Sequence, residues 1–141
     1  MISEEKLIAA AFDARTRAYA PYSKFKVGAA LLTGDGDVIS GCNIECAAFG
    51  VTNCAERTAL FSAVSQGSRT FSAIAIVGGD EKEGEGLSCY CPPCGVCRQM
   101  LREFCAPESF RIILARSLKD YQVYTLEELL PMSFGPENLQ K

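Results

Sequence analysis

The chain has 141 residues, a formal net charge of −3 and no histidine. This length predicts a single domain over residues 1–141, and a domain of that size buries enough surface to fold without disulfides. The acidic balance argues against nucleic acid as a partner, and no apolar run approaches the roughly 20 residues of a membrane-spanning helix, so neither nucleic acid nor membrane is an expected partner.

The first predicted helix covers residues 3–18, because apolar residues recur on one face and Ser3 is a suitable N-cap. Pro21 is expected to end this helix. Two strands follow at residues 27–33 and 38–44, and the Gly-Asp-rich turn between them predicts a hairpin.

Helices and strands continue to alternate through the rest of the chain. The predicted elements are a helix from Cys54 to Gly67, a strand at 72–78, a loop at 79–90, a helix after Pro93, strands at 110–116 and 121–125, and a short helix at 126–130. This order predicts an α/β fold of three layers, with a mixed five-stranded sheet and helices on both faces.

The N-terminus carries early acids and an interrupted apolar pattern, so we expect no secretory signal and a cytoplasmic protein. Eight cysteines in a reducing compartment indicate metal binding or catalysis rather than a disulfide framework. The absence of histidine excludes Ser-His-Asp and Cys-His nucleophilic sites and any zinc site that needs an imidazole. A zinc ion in this protein must therefore be held by thiolates and carboxylates.

Three cysteines fall at positions that favour such a site. Cys54 opens one predicted helix and Cys94 opens the next, while Cys97 lies one turn later on the same side as Cys94. Helix N-termini favour the thiolate form of cysteine. Three thiolates around one Zn²⁺ per chain leave the fourth position of the tetrahedron for water, as in catalytic zinc sites.

The two residues after Ala55 add a base and a cation to this pattern. Glu56 is placed to take a proton from zinc-bound water. Three thiolates give the zinc site a net negative charge, which weakens its acidity, and Arg57 is placed to offset that charge by donating hydrogen bonds to the sulfurs.

Spacing alone leaves two alternatives open. Cys91-x-x-Cys94 competes with Cys94-x-x-Cys97 as the C-x-x-C pair. Cys89 or Cys91 would also complete a closed Cys₄ shell, and such a zinc ion would be purely structural.

Five blocks in the same order resemble the cytidine deaminase family, in its small homotetrameric form. They span nearly the whole chain and read YSKFKVGAALL (22–32), GCNIE (41–45), NCAERTALFSA (53–63), PCGVCRQ (93–99) and LLPMSFGPENL (129–139). CAER together with PCGVCRQ is the specific core of the resemblance.

The resemblance implies hydrolytic deamination of cytidine and 2′-deoxycytidine to uridine and 2′-deoxyuridine, with release of ammonia, as in pyrimidine salvage. Zinc is then held by Cys54, Cys94 and Cys97. Glu56 shuttles a proton from the zinc-bound water to N3 of the pyrimidine and then to the departing amino group. The protein is expected to be a homotetramer.

The resemblance also assigns residues to the substrate. Phe25 is expected to pack on the pyrimidine ring, and the backbone of Ala55 to read the edge of the base. Asn43 and Glu45, two apart on one strand face, are expected to bond the ribose 3′-hydroxyl. Phe134 is expected to enter the site of a neighbouring subunit.

Two positions depart from the family pattern. Cys46 stands where the family often has asparagine, and Phe49 stands where tyrosine is common, so recognition of the ribose is expected to differ in detail.

Three other functions compete with a cytidine deaminase. One is a deaminase of a related small nucleoside such as a blasticidin-type antibiotic, although the Asn43 and Glu45 pair favours a plain ribose. A polynucleotide-editing deaminase is disfavoured by the acidic balance. A non-catalytic, zinc-stabilised interaction module predicts that Glu56 has no chemical role.

Overall fold

The computed structural model describes residues 2–140. Its helices are α1 (Glu4–Arg15), α2 (Ala55–Ser65), α3 (Gly95–Phe104) and α4 (Leu126–Leu129), and its strands are β1 (Phe25–Thr33), β2 (Val38–Cys42), β3 (Phe71–Asp80), β4 (Arg111–Ala115) and β5 (Tyr121–Thr125). No helix within residues 2–140 combines the length and the apolar character needed to cross a bilayer.

The strands form one sheet in the order β2-β1-β3-β4-β5. Three of the four pairings are antiparallel and the β3–β4 pairing is parallel. The predicted mixed five-stranded sheet is therefore confirmed. The parallel pairing follows from the chain order, because α3 is the crossover between β3 and β4.

Helices cover both faces of the sheet. Successive strand residues point to opposite faces, and the two faces have separate apolar cores. One core joins strand residues such as Ile74 and Ile76 to α2, α3 and α4. The other joins Ala75 and Val77 to the apolar face of α1. The predicted three layers are confirmed.

The first helix is shorter than predicted. Ser3 caps it, with the side chain accepting a hydrogen bond from the Lys6 N–H, but α1 ends at Arg15 and not near Pro21. Beyond the helix the backbone is extended and pairs with a later segment, since the Tyr19 N–H donates to the Asn43 carbonyl and the Glu45 N–H donates to the Tyr19 carbonyl. A longer helix would lose these two bonds.

The second strand also ends earlier than predicted, at Cys42 rather than at residue 44. The side chain of Asn43 explains the ending. Its Oδ1 accepts from the Val27 N–H and its Nδ2 donates to the Phe25 carbonyl. These are backbone groups of β1 that a longer β2 would have paired, so a side chain takes the place of the strand ladder.

Gly41 lets α2 approach the sheet closely. A Cβ atom at this position would lie 2.5 Å from the Ala59 nitrogen and 2.7 Å from the Ala55 carbonyl oxygen. Both distances are shorter than van der Waals contact. The absence of a side chain on β2 therefore sets how close the first turn of α2 lies to the sheet.

We expect Gly41→Ala to lower the free energy of unfolding by about 1–3 kcal/mol, because the new methyl group must push the backbone of α2 away. Urea unfolding of purified protein measures this loss. Gly84→Ala is the matched control, because a Cβ at Gly84 meets no atom within 4 Å. Equal stability of the two variants would show that α2 does not depend on this close contact.

Candidate active site

Three cysteine sulfurs lie together where α2 and α3 begin. The Sγ atoms of Cys54, Cys94 and Cys97 all lie within 4.8 Å of one another. Cys54 is the N-cap of α2 and Cys94 is the N-cap of α3. Cys54 is half-buried, Cys94 exposed and Cys97 buried, so the cluster opens to solvent on one side.

The cluster has the dimensions of a zinc site. The Sγ atom of Cys94 lies 3.8 Å from that of Cys54 and 3.5 Å from that of Cys97. A tetrahedral zinc with Zn–S bonds of about 2.3 Å sets its sulfurs about 3.8 Å apart. Thiolate ligands favour zinc over harder cations. The residues therefore fit a zinc ion with three protein ligands and one open position.

The electrostatics of the two helices favour thiolates in the cluster. The first backbone N–H groups of a helix have no acceptor inside the helix, and they carry partial positive charge. The hydrogen bond from Cys97 lowers the pKa of Cys54 to about 5, with Arg57 adding to the effect. The same bond, followed by burial, raises the pKa of Cys97, because its proton is shared with the Cys54 thiolate.

Arg57 contacts the cluster directly, as predicted for its position. Its Nη2 donates to the Cys54 sulfur at 3.4 Å, and this bond raises the pKa of Arg57. The Arg57 Nε is buried without a hydrogen-bond partner. A donor buried beside sulfur atoms is suited to a site that carries negative charge.

Glu56 lies beside the sulfurs without joining the cluster. Its side chain is only 4% exposed. Burial raises the pKa of Glu56 to about 7, the charge of Cys54 raises it further and a bond from Cys97 opposes the rise. A carboxyl group with a pKa near neutrality both accepts and releases protons at physiological pH.

The other five cysteines lie outside this cluster. Cys91 packs against β3, where a Cβ at Gly78 would lie 2.7 Å from its sulfur, and burial raises its pKa to about 12. The C-x-x-C pair of the cluster is thus Cys94 and Cys97, and neither Cys89 nor Cys91 closes a fourth position among the described residues.

A short backbone pairing brings Asn43 and Glu45 towards Cys54. Ile44 and Asn53 exchange both backbone hydrogen bonds at 2.9 Å, and Asn53 directly precedes Cys54. Ile44 is 47% exposed, whereas Asn43 and Glu45 are 9% and 6% exposed. The expectation that Asn43 and Glu45 share one side of the chain agrees with this alternation, although both lie beyond the end of β2.

The two side chains are already bonded to one segment of the chain. Asn43 bonds the backbone of β1 as described above. Glu45 Oε1 accepts from the N–H groups of Tyr22 and Ser23 at 3.0 and 3.1 Å, and Oε2 accepts from the Ser23 hydroxyl. The Ser23 bond lowers the pKa of Glu45, so this carboxylate stays charged at neutral pH.

Phe25 and Ala55 differ in their exposure. Phe25 is the first residue of β1, and its side chain is 42% exposed, so its ring is free to contact a ligand. Ala55 is fully buried as the first residue of α2. Its N–H is one of the groups that have no acceptor within the helix.

Phe134 lies away from the cysteine cluster of its own chain. Its carbonyl accepts from Gln99 Nε2 at 2.8 Å, and Gln99 lies about 200° round α3 from Cys97. Arg102 fixes the following residues, bonding the Ser133 hydroxyl and both carboxylate oxygens of Glu137. The structure therefore does not bring Phe134 to the other predicted residues within one chain.

Two functional features were not predicted from the sequence. Ser23 bonds Glu45, and Arg102 holds the segment that carries Phe134. Ser23 stands two residues before Phe25, a spacing typical of a serine turn, but nothing in the sequence indicates that Glu45 faces it. The role of Arg102 could be predicted only if its pairing with Glu137 were known, and Glu137 lies 35 residues away in the sequence.

Comparison with known proteins identifies the family. The model of the cytidine and deoxycytidylate deaminase zinc-binding region matches residues 1–112. A cytidine deaminase of Halalkalibacterium halodurans is 47% identical over 98% of both chains. Another, from Sporosarcina psychrophila, is 50% identical over 96% of this chain and 93% of its own length.

A solved structure agrees with these similarities. The crystal structure of cytidine deaminase from Burkholderia pseudomallei superposes with a TM-score of 0.84 at 47% identity, covering 94% of this chain and 100% of that one. Similarity to a blasticidin-S deaminase of Bacillus cereus is weaker, at 35% identity over 79% of both chains. With its family model, relatives, fold and cysteine cluster in agreement, this chain belongs to the zinc-binding cytidine and deoxycytidylate deaminase family.

Proposed function

We propose that this protein hydrolyses the bond between C4 and the amino nitrogen of cytidine and 2′-deoxycytidine, giving uridine or 2′-deoxyuridine and ammonia. The observation that carries the proposal is a buried Glu56 beside three sulfurs that leave one side open. A closed structural site would need a fourth ligand and would have no use for a buried carboxyl group with a pKa near neutrality.

Cys54, Cys94 and Cys97 would hold one zinc ion per chain. A bound zinc ion would lower the pKa of a coordinated water to about 7 and so make water a nucleophile towards C4 of the pyrimidine. Glu56 would accept a proton from the attacking water on its carboxylate and pass it to N3. When the bond between C4 and the amino nitrogen breaks, Glu56 takes the remaining proton from the hydroxyl added at C4 and delivers it to that nitrogen, so that C4 becomes a carbonyl and the nitrogen leaves as ammonia.

Asn43 and Glu45 recognise the ribose with the hydrogen-bonding capacity that the fold leaves unused. A carboxylate has about four acceptor positions, and the bonds from Tyr22 and Ser23 fill three on Glu45. Asn43 has one amide N–H beyond the bond to Phe25. The free acceptor position on Glu45 and the free donor on Asn43 match a single hydroxyl group, which supports the 3′-hydroxyl as their ligand.

Phe25 packs on the pyrimidine ring, and the Ala55 backbone bonds the edge of the base. A base stacked on an aromatic side chain gains about 1–3 kcal/mol. The partial exposure of the Phe25 ring supports this role. Phe49, which is 65% exposed, presents an apolar ring without a hydroxyl to the neighbourhood of the sugar.

A complete site requires a neighbouring subunit. Phe134 is 58% exposed and is held on the side of α3 opposite Cys97, a position that suits insertion into another chain's site. We propose a homotetramer in which each chain acts as one deaminase domain over residues 1–141. The substrate class supports a cytoplasmic role in pyrimidine salvage.

The similarity to a blasticidin-S deaminase makes a related small nucleoside the second candidate substrate. Such a ligand replaces the plain ribose with a different group. The Asn43 and Glu45 pair favours cytidine, because buried polar groups left unpaired by the wrong ligand cost binding energy. Parallel assays with cytidine and blasticidin S separate the two candidates.

We expect purified protein to convert cytidine to uridine, measured as loss of cytidine absorbance, and Glu56→Ala to lower kcat by at least about 100-fold. Zinc content should stay at one ion per chain in both proteins, because Glu56 is not a ligand. Glu108→Ala is the matched control, since Glu108 is exposed and lies outside the site.

Zinc retention without cytidine turnover in the wild type would contradict the proposal. Turnover of blasticidin S alone would then favour the second substrate, and inactivity on both would favour an interaction module. Loss of zinc from Glu56→Ala would instead place Glu56 among the ligands.

Arg57 offsets the negative charge of the thiolates, so we expect Arg57→Ala to lower kcat/KM about tenfold or more while the chain keeps its zinc. Activity and zinc content measured on the same samples test this. Arg17→Ala, which removes a solvent-exposed ion pair with Asp13, is the control. Equal losses of activity and zinc would show that Arg57 only holds the metal.

Phe134→Ala should inactivate the homogeneous enzyme by raising KM, because each site loses the ring supplied by its neighbour. Mixing Phe134→Ala subunits with Glu56→Ala subunits after partial dissociation should restore activity, since some sites then receive both intact residues. Activity that stays at the level of the separate variants would indicate that Phe134 does not act across subunits.

A further inference from the structure

Two backbone hydrogen bonds help to place Phe25 at the start of β1. The residue is 42% exposed, so packing restrains its ring less than it restrains a buried one. Its carbonyl accepts from the Asn43 amide at 2.8 Å and its N–H donates to the Ser23 hydroxyl at 3.0 Å. The Ser23 bond is therefore one of two hydrogen bonds that place this residue.

Ser23 connects Phe25 to a buried charge. The Ser23 hydroxyl accepts from the Phe25 N–H and donates its own hydrogen to Glu45 Oε2. Glu45 Oε1 holds the N–H groups of Tyr22 and Ser23. A hydrogen bond to a charged group is about twice as strong as one between neutral groups, so the carboxylate anchors the whole turn.

The residue between Ser23 and Phe25 is held in an unusual conformation. Lys24 has φ +60°, in the left-handed region that few non-glycine residues adopt. Its N–H donates to the Ala20 carbonyl, and its carbonyl accepts from Glu81 at 2.7 Å. Such a conformation persists only where surrounding bonds impose it, so the turn is preorganised before any ligand arrives.

We propose that Ser23 is a positioning residue for the reaction. Its hydroxyl links the Glu45 carboxylate to the Phe25 N–H and so sets the position of the ring that stacks on the pyrimidine. This deepens the proposed function and rests on it for its kinetic consequences. Glu45 then has two tasks, one towards the sugar and one through Ser23 towards the base.

Removing the hydroxyl breaks both bonds at once. In Ser23→Ala the Phe25 N–H and one acceptor position of Glu45 lose their partner. The turn around Lys24 then has less to hold it, and the aromatic ring samples more positions. Stacking acts on substrate and transition state alike, so its loss should appear in KM rather than in kcat.

The first experiment compares Ser23→Ala with the wild-type holoenzyme. We expect KM for cytidine to rise about tenfold with kcat within about twofold, and the Phe25 amide to exchange with deuterium at least about tenfold faster. Ser23→Thr should restore both values, because it keeps the hydroxyl and the exposed position leaves room for a methyl group. Ser65→Ala, an exposed serine at the end of α2, is the control.

A second comparison tests whether Ser23 acts through the ring or through the sugar. Ser23→Ala should add less than twofold to the KM of Phe25→Ala, because the ring it positions is gone. It should raise KM equally for cytidine and 3′-deoxycytidine. Additive effects, or an effect that disappears with 3′-deoxycytidine, would overturn the proposal and assign Ser23 to sugar recognition through Glu45.

The exchange measurement separates this proposal from the proposed function, because it needs no turnover. Failure of the wild-type protein to convert cytidine would contradict the proposed function. An unchanged exchange rate of the Phe25 amide in Ser23→Ala would overturn the proposed role of Ser23, whichever substrate the enzyme converts.

Discussion

The meeting of two helix N-termini at three sulfur atoms is the constraint on which the rest of the site depends. Cys54 and Cys94 are N-caps, so their sulfurs lie where the unpaired N–H groups of α2 and α3 point. Each of these two helices is also held in place by contacts of its own. The close approach at Gly41 seats α2 on the sheet, and the buried Cys97 and Leu101 seat α3.

The same arrangement places positive charge beside the three sulfurs. Two helix N-termini and the Arg57 guanidinium supply positive charge to three thiolates. Glu56 follows Cys54 by two residues and is buried by the same packing that seats α2. Glu56 and Cys54 therefore share the first turn of α2, and their relative positions are as rigid as that turn.

The nucleoside side of the site is built from side chains that also complete the fold. Asn43 replaces a missing stretch of strand, and Glu45 closes the turn before β1. These bonds explain why two polar residues lie buried at the end of an apolar hairpin. They also link both side chains to the position of Phe25, Asn43 directly and Glu45 through Ser23. By contrast, Phe134 is held on the far side of α3, away from the cysteine cluster.

The sequence by itself determined the fold class and the family, and it indicated a thiolate cluster beside the carboxyl group of Glu56. Apolar periodicity predicts the helices and strands locally, and a C-x-x-C motif joined to Cys-Ala-Glu-Arg is specific because each residue has a chemical reason to stand there. Only the tertiary structure decided between Cys91 and Cys97 as the partner of Cys94, since both spacings are equal and the packing of Cys91 against Gly78 is a long-range contact. It also decided where α1 and β2 end, because Tyr19 and Asn43 bond backbone groups that are distant in sequence. Local propensity predicts elements that depend on neighbouring residues, whereas these choices depend on which segments meet in space.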